Sequence, residues 1–248
     1  MNRTGLSIAL AIAVVTSVVF AVFPALDIEI SRLFFSSRYH VFWLTLYALY
    51  GGYGWVLGVR KFSMWIVGAL AAPAAIALAV KLVRPGRPPL MSGRAIAFLL
   101  GTLVLGPGLI TNSLLKAYDG RPRPIEVQEF AGSDRFVAWW DPRGACAQNC
   151  SFVAGEPSGA FWTLAPAALA PPPWRAAAYA AALAFGTLIG LMRIAMGGHF
   201  FTDVVFAGVF TFLIIWIVHG LIYRWSVLPR GMPAPCMPAP LRGRAFRL

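Results

Sequence analysis

Three short segments of this 248-residue chain combine basic, acidic, histidine and glycine side chains within an otherwise apolar sequence. They run from Lys116 to Pro124, from Ser151 to Gly159 and from Arg193 to Asp203. Ionisable groups within or beside membrane-spanning helices are energetically costly and are therefore usually functional. Since each segment lies at one end of an apolar stretch, we expect the three segments to carry the chemistry of the protein.

The third segment places His199 four residues before Asp203, at the start of an apolar run with a helical pattern. This spacing puts both side chains on one helix face. A carboxylate bonded to one imidazole nitrogen would fix the tautomer and leave the other nitrogen as a nucleophile or base. Arg193 offers a planar guanidinium that suits phosphate oxygens. Because His-x-x-x-Asp alone is more often structural than catalytic, the interpretation depends on the other two segments.

The first segment adds two more cations, Lys116 and Arg123, at the same expected membrane depth. Basic residues at helix ends commonly serve as membrane anchors, with the charged group reaching toward water. Three cations that converge on a His–Asp pair make that simpler interpretation less favourable. The combination indicates a site for a phosphate group with three anionic oxygens and one face open to attack.

The composition excludes an ordinary soluble protein. The chain is 59% hydrophobic and only 12% charged, with a mean hydropathy of +0.71, whereas a soluble domain is about a quarter charged. A net charge of +12 would ordinarily suggest a nucleic-acid partner. Because several apolar runs reach the length needed to cross a bilayer, the sequence instead predicts an integral membrane protein without a nucleic-acid partner.

The predicted fold is all-α: a polytopic bundle of six transmembrane helices, with an outer-face loop and an interfacial helix. The first stretch is longer than a signal-peptide core and lacks a cleavage site, so it is expected to be an uncleaved anchor. The run Val41–Val59 is rich in glycine and aromatic residues, which favours a helix at the membrane boundary. The six predicted spans are Leu6–Leu26, Phe62–Val83, Ala95–Leu115, Phe161–Ala170, Ala176–Met192 and Phe200–Tyr223.

The distribution of charge predicts the orientation. With six spans, one side receives eleven basic and no acidic residues, and the other receives ten basic and all nine acidic residues. Excess Lys and Arg marks the cytoplasmic side, so both termini are expected in the cytoplasm and the loop Ala117–Gly155 outside. Arg60 and Lys61 fit this arrangement less well, because it places them outside.

The outer loop contains Cys146 and Cys150, in a compartment that permits a disulfide. Two cysteines without histidine partners are too few for a zinc site, so a disulfide loop is favoured and no metal site is expected. Residues 1–228 are predicted to form one membrane domain with a motif core over 95–223. The Pro- and Arg-rich tail, residues 229–248, is predicted to be disordered and cytoplasmic.

Taken together, Lys116-x6-Arg123-Pro124 and Arg193-x5-His199-x3-Asp203 resemble the first and third motifs of the type 2 phosphatidic acid phosphatase (PAP2) superfamily. The resemblance covers roughly Ala95 to Tyr223. It implies a six-helix membrane enzyme that dephosphorylates lipid phosphates or diphosphates without a metal or other cofactor. It also implies phosphate binding by Lys116, Arg123 and Arg193, phosphorylation of His199, and orientation of that histidine by Asp203.

The middle segment departs from the family's Pro-Ser-Gly-His motif, whose histidine protonates the leaving oxygen. In one register Pro157-Ser158-Gly159 matches three letters and Ala160 replaces the histidine. In the other register, which we prefer, Glu156 takes the histidine position and the preceding Gly155 is expected to bind phosphate. Cys-Ser-Phe-Val-x-Gly-Glu is similar to a bacterial branch of the superfamily that includes lipid A phosphatase-like proteins.

The role of Glu156 has several interpretations. A glutamic acid can donate a proton near neutral pH if burial raises its pKa, but three nearby cations would oppose that rise. A better leaving group, such as a diphosphate, would need less protonation. Glu156 could instead bind an amine or orient Arg123, or the motif could have decayed with loss of activity.

The sequence therefore predicts an enzyme that hydrolyses a membrane lipid phosphate or diphosphate through a phosphohistidine, at the outer face of a bacterial inner membrane. One alternative is transfer of the phosphoryl or head group to another acceptor at the same site. Another is an inactive lipid-binding or transport protein, but transporters more often carry ionisable groups near the bilayer midplane. The identity of the lipid and the oligomeric state are left open.

Overall fold

The computed structural model describes residues 2–48, 53–116 and 119–225. Helices dominate these residues, and strands β1 (Phe35–Ser36) and β2 (Val41–Phe42) form one short antiparallel hairpin. The protein is thus an all-α polytopic membrane protein. The α-helices are α1 (Arg3–Val22), α2 (Ala25–Arg32), α3 (Trp43–Tyr47), α4 (Tyr53–Val83), α5 (Gly93–Leu103), α6 (Gly155–Phe161), α7 (Leu164–Ala168), α8 (Pro172–Ala195) and α9 (Phe201–His219).

Two α-helices continue with π-helical hydrogen bonding, α5 over Val104–Leu115 and α9 over Gly220–Arg224. With these continuations, five helices in the described residues are long and apolar enough to cross a membrane: α1, α4, α5, α8 and α9. Their starts follow local rules, since the Asn2 side chain caps α1 and the Ser92 side chain caps α5. The count of six spans stays a prediction.

The stretch Phe161–Ala170, predicted as one span, contains the end of α6 and the short helix α7. Pro166 is the physical reason for this break, because it has no N–H to donate to the carbonyl of Trp162. That carbonyl accepts from Ala165 N instead, at 2.8 Å, which tightens the turn. The Trp162 side chain is fully buried at this point and donates from Nε1 to Thr102 Oγ1 at 3.0 Å.

The prediction of a single boundary helix over Val41–Val59 is wrong. Val41–Phe42 is strand β2, Trp43–Tyr47 is α3, and the last part of the run begins α4; residues 49–52 lie outside the described residues. The 31 residues of α4 span about 46 Å at about 1.5 Å per residue. Because the hydrocarbon core is roughly 30 Å thick, the first turns of α4 can extend beyond it while remaining in the same helix.

The short helix α6 lies in the middle of the bundle and packs against α4, α8, α9 and the π-helical part of α5. Phe152, Val153 and Ala154 precede it and are buried against Ile194 and Val204 in one apolar cluster. This packing fixes the start of α6 between the end of α8 and the beginning of α9. Residues of the predicted second polar segment are thereby held beside those of the third.

The loop between α5 and α6 is folded back on itself. The predicted disulfide between Cys146 and Cys150 is confirmed, with the two Cα atoms 5.7 Å apart. Backbone hydrogen bonds from Cys146 N to Gly120 O (3.0 Å) and from Ser151 N to Arg121 O (2.8 Å) join the end of the loop to its beginning.

The predicted tail, residues 229–248, lies outside the described residues.

Candidate active site

The three polar segments meet at one end of the helix bundle. Their side chains come from the ends of four helices and from the turn between α8 and α9, so packing of the helices sets their relative positions. The positions are Lys116 at the end of the extended α5, Gly155 and Glu156 at the start of α6, Arg193 in the last turn of α8, His199 in the turn, and Asp203 in the first turn of α9.

The turn that carries His199 begins with glycine. Gly197 has a φ of 68°, in the left-handed region that favours glycine. Gly197 N donates to Ile194 O at 2.8 Å and Gly198 N donates to Arg193 O at 2.9 Å, which is how a helix commonly ends at a glycine. The chain therefore leaves α8 sharply and returns His199 toward the site.

Asp203 is a fully buried carboxylate with three hydrogen-bond donors. Phe200 N donates to Oδ2 at 2.7 Å, as is usual for an acidic residue in the first turn of a helix. Ser151 Oγ donates to the same oxygen at 2.5 Å, and Arg121 Nη1 donates to Oδ1 at 2.5 Å. The carboxylate is therefore held in one orientation by the helix backbone, the second segment and the first segment.

His199 is 2% exposed, and its Nδ1 lies 2.8 Å from the carbonyl oxygen of Ser151. The expected direct hydrogen bond to Asp203 is not formed, because Asp203 Oδ2 lies 3.8 Å from Nδ1 and accepts from Ser151 and Phe200 instead. Since a carbonyl can only accept, Nδ1 carries the proton and Nε2 carries the lone pair. Ser151 thus mediates between the histidine and the carboxylate.

The electrostatic surroundings keep His199 neutral. Burial lowers its pKa well below the ordinary value, and the positive charges of Arg193, Lys116 and Arg123 lower it further. A neutral imidazole with a fixed tautomer has the protonation state that a nucleophile requires.

Arg121 connects the start of α9 to the N-terminal part of the chain. Its guanidinium is fully buried and donates to Asp203, to Asp27 Oδ2 at 2.8 Å and to Thr202 Oγ1 at 2.9 Å. Asp27 also accepts from the backbone N and the hydroxyl of Thr202, at 3.0 and 2.6 Å. Burial acts to lower the pKa of Arg121, but the carboxylates of Asp203 and Asp27 raise it above its usual value. Arg121, Asp27 and Asp203 therefore form a charged, hydrogen-bonded network of one guanidinium and two carboxylates.

Lys116 and Arg123 are partly buried and share Asn149 as a neighbour. Lys116 Nζ donates to Asn149 Oδ1 at 3.3 Å, and Arg123 Nη2 donates to Asn149 O at 2.8 Å. Burial, followed by the charges of Arg123 and Arg193, lowers the pKa of Lys116 to about 8. Lys116 is therefore mostly a cation at neutral pH and loses its charge within the range in which enzymes are routinely assayed.

Gly155 lets the backbone approach Lys116 closely. A Cβ atom at this position would lie 2.9 Å from Lys116 Nζ and 2.6 Å from Asn112 Oδ1, distances that no side chain could adopt without displacing its neighbours. The backbone at Gly155, which is predicted to bind phosphate, therefore lies beside the Lys116 ammonium group.

Glu156 lies between two arginines. Arg60, from α4, donates from Nε to both carboxylate oxygens at 3.2 Å and from Nη2 to Oε1. Arg193 Nε lies 3.8 Å from Oε2. Burial acts to raise the pKa of Glu156, but the hydrogen bonds from Arg60 and the charges of Arg193 and Lys116 hold it below its ordinary value.

The two registers considered for the middle segment differ in geometry. Glu156 faces the cations, whereas the Ser158 hydroxyl is buried between helices and lies 3.0 Å from Thr111 Oγ1 and 2.8 Å from Thr211 Oγ1. Ala160 is buried as well. This arrangement favours the register in which Glu156 occupies the histidine position of the family motif.

Sequence reasoning assigned no role in the site to four residues that the structure places there: Arg60, Arg121, Asp27 and Ser151. Arg121 stands inside the first motif, but at a position that the spacing Lys116-x6-Arg123-Pro124 leaves unspecified. Arg60 gave a weak signal, because it did not fit the charge asymmetry between the two sides of the membrane. The partner of Arg121, Asp27, lies 94 residues away in sequence, so only the tertiary structure reveals the pair.

Comparisons with known proteins support the sequence resemblance. A family model described as PAP2 superfamily matches residues 95–226. A protein from Francisella tularensis subsp. novicida (strain U112) named lipid A 4'-phosphatase is 35% identical over 230 residues, which cover 90% of this chain and 98% of the relative. A protein of the same name from Rhizobium leguminosarum is 33% identical over 194 residues, covering 75% of this chain and 83% of the relative. No solved structure matches the chain significantly.

The buried ion pairs of Arg121 with Asp27 and Asp203 are expected to stabilise the fold. Replacing Arg121 by Met should lower the free energy of unfolding by about 3–5 kcal/mol, because it leaves two buried carboxylates without their cation. Unfolding by denaturant in detergent micelles measures this change. The triple variant Arg121→Met, Asp27→Asn, Asp203→Asn should recover much of the loss, and Arg143→Met, in an exposed ion pair with Asp141, is the control. A single Arg121→Met variant as stable as the wild type would contradict this account.

The lowered pKa of Lys116 predicts that anion binding depends on pH. Since the lysine is charged below a pKa of about 8, binding of inorganic phosphate should weaken as the pH rises through about 8. The loss should be about tenfold, the effect of one charge-assisted hydrogen bond. Lys116→Arg should move this decrease to higher pH, because guanidinium keeps its charge. Calorimetric titrations at a series of pH values test this, and an unchanged pH dependence in the arginine variant would disprove it.

Proposed function

Since this chain belongs to the PAP2 superfamily and is a lipid phosphatase, we propose that it removes a phosphate group from lipid A in a bacterial inner membrane. The observation that carries the proposed mechanism is that His199 is neutral and held in one tautomer. Its Nδ1 donates to Ser151 O, and burial, followed by the charges of three cations in the same site, lowers its pKa. The names of the relatives support lipid A as the substrate.

In the first proposed step His199 is the nucleophile. The Nε2 lone pair forms a bond to phosphorus while the bond from phosphorus to the lipid oxygen breaks. The electron pair of that bond goes to the lipid oxygen, which takes a proton from water and leaves hydroxide. Lys116, Arg123 and Arg193 bind the phosphate oxygens and stabilise the charge that develops on them.

Asp203 has a positioning role in this proposal. The positive charge that develops on the phosphorylated imidazole is balanced by the Asp203 carboxylate at 3.8 Å, and the Nδ1 proton remains hydrogen-bonded to Ser151 O. The Ser151 hydroxyl holds the carboxylate at the same time. A fixed histidine needs no reorganisation when the lipid phosphate arrives, which is the advantage of a preorganised site.

In the second proposed step water attacks the phosphohistidine. The nitrogen–phosphorus bond breaks, its electron pair returns to Nε2, and inorganic phosphate leaves. The proton released by the attacking water neutralises the hydroxide of the first step. No metal takes part in either step.

Glu156 is not the proton donor in this proposal. The hydrogen bonds from Arg60 and the charges of Arg193 and Lys116 hold its pKa below the ordinary value despite burial. A carboxyl group in this state is ionised at neutral pH and has no proton to give. Its proposed contribution is electrostatic, through the two arginines beside it.

We place the active site at the outer face of the membrane, with the termini in the cytoplasm. The site lies at the end of α5 and α8 and at the start of α4 and α9. The opposite end of these helices carries basic residues that include Arg84, Arg87 and Arg175. Because excess basic residues mark the cytoplasmic side, the site end is expected to face the periplasm.

Phosphate release from a panel of lipids tests the function. Purified protein with chelator present should release phosphate from lipid A faster than from phosphatidic acid, phosphatidylglycerol phosphate or an isoprenyl diphosphate. His199→Ala should lower the rate on the order of a thousandfold or more, because the nucleophile is lost. If the histidine variant is as active as the wild type, the mechanism is wrong, and if no lipid releases phosphate, the scaffold is inactive.

Two variants of the middle segment test the role of Glu156. Glu156→Gln should lower kcat by less than about tenfold, whereas loss of a general acid lowers it by about 10²–10⁴. Ser158→Ala should keep near-normal activity, since its hydroxyl contacts only Thr111 and Thr211 among the described residues. Steady-state kinetics on lipid A measures kcat for both variants. A hundredfold loss of kcat in Glu156→Gln would show instead that Glu156 is the general acid.

A further inference from the structure

A carboxylate in a phosphate-binding site poses an electrostatic problem. Glu156 has an exposed side-chain fraction of 22% and lies beside Arg193, one of the three cations proposed to bind phosphate. A carboxylate binds a guanidinium with the same two-pronged geometry as a phosphate does. Unless another cation occupies it, Glu156 would pair with Arg193 and compete with the substrate.

Arg60 provides that other cation. Its Nε is shared between the two oxygens of Glu156, and its Nη2 contacts Oε1 as well. The pair joins α4 to the start of α6. Because both carboxylate oxygens already accept from Arg60, the charge of Glu156 is largely neutralised before any ligand binds.

Arg193 correspondingly keeps unused hydrogen-bonding capacity. Its Nε lies 3.8 Å from Glu156 Oε2, beyond hydrogen-bond distance, and this buried nitrogen has no hydrogen-bond partner among the described residues. Its Nη1 contacts Met196 Sδ at 3.8 Å, a weak acceptor. A nearly buried arginine with an unpaired donor is prepared for an anion.

We propose that Arg60 is a positioning residue that occupies Glu156 and thereby keeps Arg193 available to bind the phosphate of the substrate. The inference rests on the proposed function, in which Arg193 binds that phosphate. Arg60 lies outside the residues that match the family model, and in the register that we prefer Glu156 takes the histidine position of the family motif. The two residues therefore form a charge-compensating pair: a glutamate at that position requires an added cation.

The test is a cycle of variants at the two positions. Arg60→Ala should raise the KM for lipid A and the Kd for inorganic phosphate by about tenfold or more, with kcat changed little, because Glu156 then pairs with Arg193. Adding Glu156→Gln to Arg60→Ala should restore both constants to within about threefold of the wild type. Arg60→Lys should be intermediate, since it keeps the charge and loses the forked geometry.

Three controls separate this role from a structural one. The variants Arg32→Ala and Arg32→Ala/Glu29→Gln remove an exposed arginine–glutamate pair on α2 and should leave KM unchanged. Melting temperatures in detergent identify any variant that is merely unfolded. A purely structural ion pair would not recover phosphate binding when its second member is also removed.

The outcomes are distinguishable. A double variant as impaired as Arg60→Ala would overturn the inference, because Arg60 would then contact the phosphate itself or only support the fold. Normal KM and Kd in Arg60→Ala would also overturn it. If the wild type binds phosphate but releases none from any lipid, the proposed function fails while the phosphate-binding cycle still decides the inference. A wild type that neither binds inorganic phosphate nor releases it from any lipid overturns both.

Discussion

The buried ion pairs of Arg121 with Asp203 and Asp27 are the interaction on which the rest of the site depends. A guanidinium without solvent contact is stable only where carboxylates and hydrogen-bond acceptors surround it, and here two carboxylates and Thr202 do so. The network joins the first polar segment, the start of α9 and the N-terminal α2 in one place. Asp203 is thereby fixed, and through Ser151 it fixes the position and tautomer of His199.

The second constraint is the balance of charge around the phosphate position. In the proposed site three cations surround the phosphate. Burial and these cations keep His199 neutral, but the cations would also attract any nearby carboxylate. Glu156 is such a carboxylate, and its ion pair with Arg60 neutralises it. Arg60 comes from α4, whose first turns reach the site because the helix is longer than a bilayer requires.

Sequence patterns predicted the helical membrane fold, the polar segments and the disulfide, because hydrophobic length and motif spacing are local properties. They failed over Val41–Val59, because its glycine and aromatic residues suggested one helix at the membrane boundary, whereas the last part of this run begins α4. The pair of Arg121 with Asp27 could not be predicted either, since residues far apart in sequence meet only after the helices pack. The role of Glu156 could not be predicted for the same reason, because its partner Arg60 lies 96 residues away in sequence. In the sequence, Arg60 stood out only as a basic residue on the side of the membrane where few were expected.

The geometry of the site predicts that His199 is a covalent nucleophile. Rapid acid-free quenching of the protein with lipid A that carries radiolabelled phosphate, followed by peptide mapping, tests that claim directly. We expect label on His199 that is stable in base and labile in acid, that forms at least as fast as free phosphate, and that is absent from His199→Ala. Phosphate release at the full rate without any protein-bound label, or with label on another residue, would contradict it.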